Sequence, residues 1–309
     1  MHLGDVAVCD VDGRLIASAG DPGRFLFARS CMKPIQATVS LGAIRDERLP
    51  DREVAIMCAS HNGEPVHVGT VRAVLERAGL DATALRNPPG WPLDPESMAR
   101  AQQKHRELHN CSGKHAGMLL ACVRAGWDTT TYLKPGHPLQ RRIRRAVLRA
   151  ADLDVVEVGV DGCGVPVHAM PLSSMATIYA RLSTPERLGE LGPSVDRAVR
   201  AMRAEPYLVG GRDRNDTDLM AATDDVVAKS GAEALECAVS LASGLGVAVK
   251  IADGGFRAGG PALIRVMRAI DAITADQEHS LARHARPAVM GGGRQVGELV
   301  ADFDIVPGS

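Results

Sequence analysis

The sequence predicts a mixed α/β fold, and three observations along the chain support this. Strand-like residues open the chain, a long helical region follows, and strand-like runs return near the C-terminus. Strands from both ends can bury their apolar faces by sharing one sheet, so we predict a mostly antiparallel sheet built from both chain ends and flanked by helices. No linker is visible. Residues 1–309 are therefore predicted to form a single unit, with a sub-domain division possible around the middle region, about 61–205.

Each element is predicted from local patterns. Residues 6–10 and 15–18 flank an Asp-Gly turn, which is typical of a β-hairpin. A helix is predicted over 30–41, with Ser30 as its N-cap and Pro34 in its first turn. Residues 81–99 are rich in proline and are expected to be irregular. The remaining predicted helices are 66–78, 114–125, 138–151, a helical stretch over 173–203, and 260–274; the remaining predicted strands are 155–160, 226–231, 234–242, 246–251 and 296–301.

Composition excludes several classes of protein. A formal net charge of −1 argues against a nucleic-acid partner, and the five arginines within 138–151 have the spacing of the solvated face of an amphipathic helix. No signal peptide and no segment long enough to cross a membrane is found. Seven cysteines, an odd number without a C-x-x-C pair, do not resemble a disulfide framework. We therefore expect a cytoplasmic protein without nucleic-acid or membrane partners.

Lysine is scarce, and its positions indicate chemistry. The chain has six lysines against thirty arginines, and three of the six lie in short polar motifs. An ammonium group can lose its proton and act as a base, whereas a guanidinium group cannot. In chain order, Ser30-Cys31-Met32-Lys33, Ser60-His61-Asn62 and Lys229-Ser230-Gly231 read S-x-x-K, S-x-N and K-S-G. This order predicts a serine–lysine acyl-transfer site. The alternative is structural, with Ser30 as an N-cap, Ser60 in a turn and Lys229 at a solvated strand end.

A second group of residues has the side chains of a metal site. Cys111 and Lys114 lie in one short segment, and Cys163 lies in a loop after a predicted strand. Two thiolates and a neutral amine can bind Zn²⁺, while Asp161 or His115 could orient the ligands. The spacing alone is equally compatible with buried cysteines that only pack.

The ordered serine and lysine motifs resemble those of the serine β-lactamases and penicillin-binding proteins. Only 29 residues separate Ser30 from Ser60, too few for the helical domain usual in that group. A closer resemblance covers essentially the whole chain. The segments R-S-C-M-K-P-I-Q, A-S-H-N-G-E, H-N-C-S-G-K-H-A-G, V-D-G-C-G-V-P and A-D-G-G-F resemble the Rhizobium-etli-type, class 3 L-asparaginases of the asparaginase II family.

This resemblance implies a single β-lactamase-like catalytic unit that forms a homodimer and hydrolyses L-asparagine to L-aspartate and ammonia. It implies two serine–lysine pairs beside a Zn²⁺ site. Carried over motif by motif, the first pair is Ser30 with Lys33 and the second is Ser60 with Lys229. The implied zinc ligands are Cys111, Lys114 and Cys163, with Asp161 beside the metal.

The mechanism expected from the sequence is a serine acyl-enzyme. Lys33, deprotonated through burial and the nearby Lys229, takes the proton of a serine, with Ser30 favoured as the nucleophile. The predicted substrate-binding residues are Arg29, as a clamp for the α-carboxylate, together with His61, Asn62 and Asp161. The alternatives are a surface or structural ion pair for Arg29 and a turn-forming role for His61 and Asn62. The alternatives are a glutaminase, a β-lactam or D-Ala-peptide hydrolase, and a non-catalytic protein that binds zinc or amino acids.

Overall fold

The computed structural model describes residues 1–45 and 48–308, and within them it has thirteen α-helices and eleven strands. In chain order the helices α1 to α13 are Lys33–Ile44, Asp51–Met57, Pro65–Arg77, Pro95–Arg100, Ser112–Ala125, Pro138–Ala151, Leu172–Ala180, Gly192–Ala204, Pro206–Val209, Asn215–Ala221, Phe256–Ala269, Ala275–Ser280 and Ala282–Ala285. The strands β1 to β11 are Gly4–Cys9, Leu15–Ala19, Phe25–Phe27, Glu157–Val160, Pro166–Pro171, Val226–Gly231, Leu235–Ser240, Gly246–Ile251, Ala288–Gly291, Arg294–Glu298 and Val306–Pro307.

The chain divides into two compact units. The first contains residues 1–31, 170–184 and 218–309, and the second contains residues 32–169 and 185–217. The first unit holds a six-stranded sheet in the order β11-β2-β1-β8-β7-β6, in which each neighbouring pair is antiparallel. Strands from both chain ends therefore share this sheet, and the predicted mixed α/β fold class is confirmed.

Both faces of the central strands are covered. Every residue of β7 and of the edge strand β6 is buried, including the polar residues Lys229 and Glu236. Helices α7 and α11 pack against β7 and β8. The predicted helix over 260–274 corresponds to α11, which begins earlier, at Phe256, and runs through Pro261. Gly259 lies within this helix and leaves space for the Glu236 side chain, because a Cβ at this glycine would lie 2.8 Å from Glu236 Cγ.

The C-terminal region differs from its prediction. The strand predicted over 296–301 is observed as β10, which ends at Glu298 and pairs with β9 in an exposed hairpin. Gly292 and Gly293 both have positive φ, the backbone that a tight hairpin turn requires. The Gly-Gly pair is a turn signal that can be read from the sequence. Strand β9 was not predicted because this turn signal was not used.

The second unit is mainly helical. Helix α1 is buried along almost its whole length and packs against α5, α6 and α8. Helix α6 buries Ile143 and Val147 and exposes its five arginines, which confirms the predicted solvated face. Strand β4 pairs antiparallel with residues 166–169 of β5, and the turn between these strands carries Asp161 and Cys163.

Several further predictions can be compared directly. The N-terminal hairpin is confirmed as β1 and β2. Ser30 is not the N-cap of α1, because Ser30 lies in a 3-10 helix, Arg29–Met32, and α1 begins afterwards at Lys33. All seven cysteines are free and buried. Within the described residues, none of the helices has both the length and the apolar character needed to span a bilayer.

Candidate active site

Three lysines from the polar motifs are buried. Lys33 and Lys229 are 0 % exposed, and Lys114 is 3 % exposed. Lysine is almost never fully buried without a partner, because removing an ammonium group from water is costly. The burial of these three side chains therefore points to specific partners, and each lysine is described below within its own unit.

Lys33 lies at the first position of α1, in the second unit, and its amine contacts a serine. Lys33 Nζ donates hydrogen bonds to Ser60 Oγ at 2.8 Å and to the Ala59 carbonyl at 2.5 Å, with the Asn110 carbonyl at 3.4 Å. The family resemblance pairs Ser60 with Lys229 instead, so this contact provides Lys33 with a hydroxyl that local helix geometry did not indicate. The hydroxyl and the carbonyl oxygens compensate for the burial of the Lys33 amine.

Backbone pairing fixes the position of Ser60. The backbone N–H of Ser60 donates to the Val209 carbonyl at 2.9 Å, and that of Asn62 donates to the Gly210 carbonyl at 2.8 Å. Helix α2 ends at Met57, so the chain reaches Ser60 through a short extended segment that this pairing holds. The serine hydroxyl is thus held by contacts with residues about 150 positions further along the chain.

The two residues after Ser60 are engaged by the protein itself. His61 Nδ1 accepts from the Gly63 N–H at 3.1 Å, and its Nε2 lies 2.9 Å from Ser112 Oγ, which itself donates to a backbone carbonyl. This network assigns the proton to Nε2. Burial, followed by the positive charges nearby, holds the pKa of His61 well below its usual value. The ring is therefore neutral, and both of its nitrogens are used to hold the turn.

Asn62 connects the turn to the loop after α9. Its Nδ2 donates to the Arg212 carbonyl at 2.9 Å, and its Oδ1 accepts from Arg214 Nη1 at 3.4 Å. The contacts of His61 and Asn62 therefore match the turn-forming alternative that the sequence left open. A direct role in substrate binding stays a prediction for both residues.

Ser30 and Lys229 belong to the first unit. Ser30 is 9 % exposed. Cys31 Sγ donates to the Lys229 carbonyl at 3.1 Å, which places the segment containing Ser30 against β6. Gly231 makes this approach possible, because a Cβ there would lie 3.0 Å from Cys31 Sγ. The glycine of the K-S-G motif thus accommodates the Cys31 thiol.

The backbone before Ser30 is strained. Arg29 has φ +44°, a value that non-glycine residues adopt rarely and at a cost of roughly 1–3 kcal/mol. Arg29 Nη1 forms an ion pair with Glu233 Oε1 at 2.9 Å, and Glu233 itself has positive φ. On β6, Lys229 Nζ donates to the Ser230 carbonyl at 2.9 Å, and Ser230 Oγ donates to Glu236 Oε2 at 2.8 Å. Strained backbone held by such contacts is common at functional sites.

The predicted zinc ligands lie together in the second unit. Lys114 Nζ donates to Cys163 Sγ at 3.1 Å, and Cys163 Sγ lies 3.5 Å from Asp161 Oδ2. Cys163 donates a hydrogen bond to Cys111, and this bond lowers the pKa of Cys111 well below its usual value. The same hydrogen bond, together with burial, raises the pKa of Cys163. Burial acts to lower the pKa of Lys114, but the charges of the two thiol groups outweigh it and raise that pKa. The two thiols and the amine therefore shift one another's pKa values.

His115 borders this cluster. Its Nδ1 lies 2.7 Å from the Tyr132 hydroxyl oxygen, at hydrogen-bond distance, and burial lowers its pKa to about 4. Over residues 1–45 and 48–308, no three His, Cys, Asp or Glu side chains are placed to share a metal ion. The metal prediction therefore depends on a lysine as the third donor. Two adjacent thiols and an amine fit a borderline ion such as Zn²⁺ in donor chemistry.

Sequence reasoning missed several members of the site. The Asn110 carbonyl and the Tyr132 hydroxyl carried no recognisable signal. Arg214 lies in the polar segment Gly210-Gly211-Arg212-Asp213-Arg214, which resembles an ordinary surface loop. Glu236 was missed because it sits within an otherwise apolar strand.

Comparisons with known proteins place the chain in a family. The family model for L-asparaginase II matches residues 1–301. Among solved structures, a β-lactamase from Mycobacterium bovis is similar at 13% identity and a TM-score of 0.49, covering 87% of this chain and 95% of that one. A probable glutaminase from Bacillus subtilis, complexed with 6-diazo-5-oxo-L-norleucine, is similar at 16% identity and a TM-score of 0.39, covering 87% of this chain and 84% of that one.

No curated protein matches the chain significantly. The family model extends over almost all of the sequence, and it confirms the resemblance inferred from the serine, lysine and cysteine segments. The chain therefore belongs to the L-asparaginase II family of amidohydrolases.

Proposed function

We propose that the protein hydrolyses the side-chain amide of L-asparagine to L-aspartate and ammonia. The observation that carries this proposal is a buried lysine amine within 2.8 Å of a serine hydroxyl, Lys33 Nζ to Ser60 Oγ, in a chain of an amidohydrolase family. Such a pair provides the proton transfer that serine needs for amide chemistry, because a serine hydroxyl is a weak nucleophile at neutral pH. Arginine at this position would not serve, since it does not deprotonate.

In the proposed mechanism Ser30 is the nucleophile. Ser30 and Lys33 are three residues apart in continuous helical backbone, a spacing that puts two side chains on one side of the helix. The neutral amine of Lys33 takes the hydroxyl proton, and Ser30 Oγ attacks the carboxamide carbon. Lys33 then returns the proton to the leaving nitrogen, ammonia departs, and an ester joins Ser30 to the aspartyl group. Water hydrolyses this ester with the same lysine as base and releases L-aspartate.

Ser60 serves as a proton relay in this proposal. Its hydroxyl is already hydrogen bonded to Lys33 and is 3 % exposed, so it is less accessible to substrate than Ser30. Lys229, the partner that the family resemblance gives to Ser60, adds a second buried amine. Arg29 and Asp161 stay proposed substrate contacts.

We also propose that Cys111, Lys114 and Cys163 hold a Zn²⁺ ion. Bound there, a zinc ion would supply Lewis acidity or rigidity to the segment that contains Asn110, whose carbonyl accepts from Lys33. The chain's own contribution is to gather two thiols and one amine, and to keep His115 neutral beside them. The homodimer and the cytoplasmic location stay proposals, which light scattering and cell fractionation would test.

The test is ammonia release from L-asparagine and L-glutamine, measured beside hydrolysis of the β-lactam nitrocefin and with and without a chelator. We expect turnover of asparagine to exceed that of the other two substrates. Ser30→Ala is expected to abolish ammonia release while the circular dichroism spectrum is unchanged, and Ser60→Ala is expected to lower kcat by roughly 100-fold. Full activity in Ser30→Ala with loss in Ser60→Ala would transfer the nucleophile role to Ser60. No ammonia from either amide would refute the proposed function.

A further inference from the structure

Arg214 has unused hydrogen-bonding capacity beside the turn that contains Ser60. Its side chain is 22 % exposed, and a guanidinium group carries five N–H donors. Among the described residues its polar contacts are long: Nη1 lies 3.4 Å from Asn62 Oδ1, and Nε lies 3.9 Å from Asp216 Oδ1. Arg214 is therefore positioned at the turn without being neutralised by a close ion pair.

The neighbouring charged groups have partners of their own. Arg212, in the same loop, forms an ion pair with Glu96 at 2.5 Å and lies 3.8 Å from Asp94. The Glu64 carboxylate, 6 % exposed, accepts from the Tyr207 hydroxyl at 2.5 Å and from the Arg212 N–H at 3.2 Å. Within the part of the chain that the structure describes, the ion pair of Arg214 is with Asp216, at 3.9 Å. The surroundings of Arg214 thus leave a positive charge exposed on one side.

The two histidines next to Arg214 add no competing charge. Burial is the main cause that lowers the pKa values of His61 and His67, and the charge of Arg214 acts in the same direction. Both rings are stacked, with centroids 5.2 Å apart, and are neutral at neutral pH. A half-buried arginine in such surroundings is suited to bind a carboxylate in a bidentate manner, because its planar fork matches the two oxygens.

We propose that Arg214 binds the α-carboxylate of the amino-acid substrate and so restricts the enzyme to free amino-acid amides. This inference rests on the proposed function and extends it to substrate recognition. Arg29, the clamp predicted from sequence, already has Glu233 within 2.9 Å, so binding a substrate carboxylate there would mean competing with an existing ion pair. Arg214 has no such competitor at comparable distance.

The experiment compares ligands with and without the carboxylate. Succinamate keeps the carboxylate and the amide but lacks the amino group, whereas 3-aminopropanamide keeps the amine and the amide but lacks the carboxylate. Both are measured as competitive inhibitors of asparagine hydrolysis. In Arg214→Ala we expect the KM for asparagine and the Ki of succinamate to rise by about 10- to 100-fold, as for loss of a charge-assisted hydrogen bond. The Ki of 3-aminopropanamide should change by less than about 2-fold, as this ligand never makes that bond.

Arg212→Ala is the matched control, because it removes a guanidinium group from the same loop and keeps the backbone carbonyl that contacts Asn62. Its KM and Ki values are expected to match the wild type. If Arg214→Ala does not fold, Arg214→Lys replaces it, with a smaller rise in the asparagine KM and an unchanged Ki for 3-aminopropanamide. Equal weakening of all ligands, or no weakening of any, overturns the proposal.

Failure of the proposed function is recognised separately. If the wild type releases no ammonia from asparagine, that function is wrong, and calorimetric titration with L-aspartate still tests Arg214. Binding to the wild type that is lost in Arg214→Ala would support the carboxylate site. Equal binding to both proteins, or no binding to the wild type, would remove it.

Discussion

Substituting Gly113 by alanine tests how closely α5 approaches α2 at the candidate site. A Cβ at Gly113 would lie 2.2 Å from the Ile56 carbonyl oxygen and 2.8 Å from Ile56 Cγ1. Carbon and oxygen atoms normally approach no closer than about 3.3 Å, so the two helices would have to separate by about 1 Å. The obstacle is mainly backbone, which cannot rotate away as a side chain does.

The expected loss of stability follows from this contact. Overpacking costs typically about 1–3 kcal/mol, and a backbone obstacle belongs at the upper end of that range. Alanine gains up to about 1 kcal/mol over glycine in a helix interior, but less in the first turn, where Gly113 lies. We therefore expect a net loss of about 2–3 kcal/mol, or a fall in Tm of about 5 °C for a chain of this size.

Gly69→Ala is the matched control. Gly69 is also helical, in α3, and no atom lies within 4 Å of the position of its added Cβ. This variant should be more stable than the wild type by about 0.5–1 kcal/mol through helix propensity alone. Urea unfolding followed by circular dichroism measures both changes. If Gly113→Ala is as stable as Gly69→Ala, the close helix approach is wrong, and with it the placement of Asn110 beside Lys33.

Three further predictions concern the Lys33 amine, the Cys163 thiol and the buried His168. Lys33→Arg should lower kcat for ammonia release by at least about 100-fold, since the guanidinium group stays protonated. Lys134→Arg, at an exposed position, is the control and should leave kcat unchanged. Comparable kcat values in the two variants would exclude Lys33 as the base. Cys163→Ala should lower the zinc content found by elemental analysis. Cys122→Ala removes another buried thiol and should leave the zinc content unchanged. Equal zinc content in both variants would contradict the assignment of Cys163 as a ligand. Burial lowers the pKa of His168 in the folded protein to about 4. Between about pH 6.5 and pH 4 this histidine is therefore protonated in the unfolded chain but neutral in the folded protein, so the free energy of unfolding decreases as the pH falls through this range. His168→Val should reduce the loss of unfolding free energy between pH 7 and pH 5 by about 2 kcal/mol, and an unchanged pH profile would contradict this assignment.

Local patterns predicted most of the elements. The Asp-Gly turn predicted the first hairpin, and apolar spacing predicted α3, α5 and α6 within a few residues of their observed bounds. Errors arose where residues that usually break helices were used for packing. Helix α11 begins at Phe256, before its predicted start at residue 260, and it contains Gly259, which makes room for Glu236, and Pro261.

The candidate site could be predicted in part. Burial of the three motif lysines and the contact between Lys114 and Cys163 agree with the chemistry inferred from those motifs. The contact between Lys33 and Ser60 could not be inferred, because it depends on the pairing of Ser60 and Asn62 with residues 209–210. Arg214 was missed for the same reason, since only the folded loop brings it to Asn62.

The sequence by itself determined which chemical groups this protein has available. The choice of lysine over arginine and the serine and cysteine motifs are properties of residue types and short spacings, so they need no knowledge of distant contacts. Only the tertiary structure decided which hydroxyl lies against Lys33, and that Arg214 contacts Asn62. Those outcomes depend on hydrogen bonds between segments far apart in the chain, and short-range periodicity contains no information about such contacts.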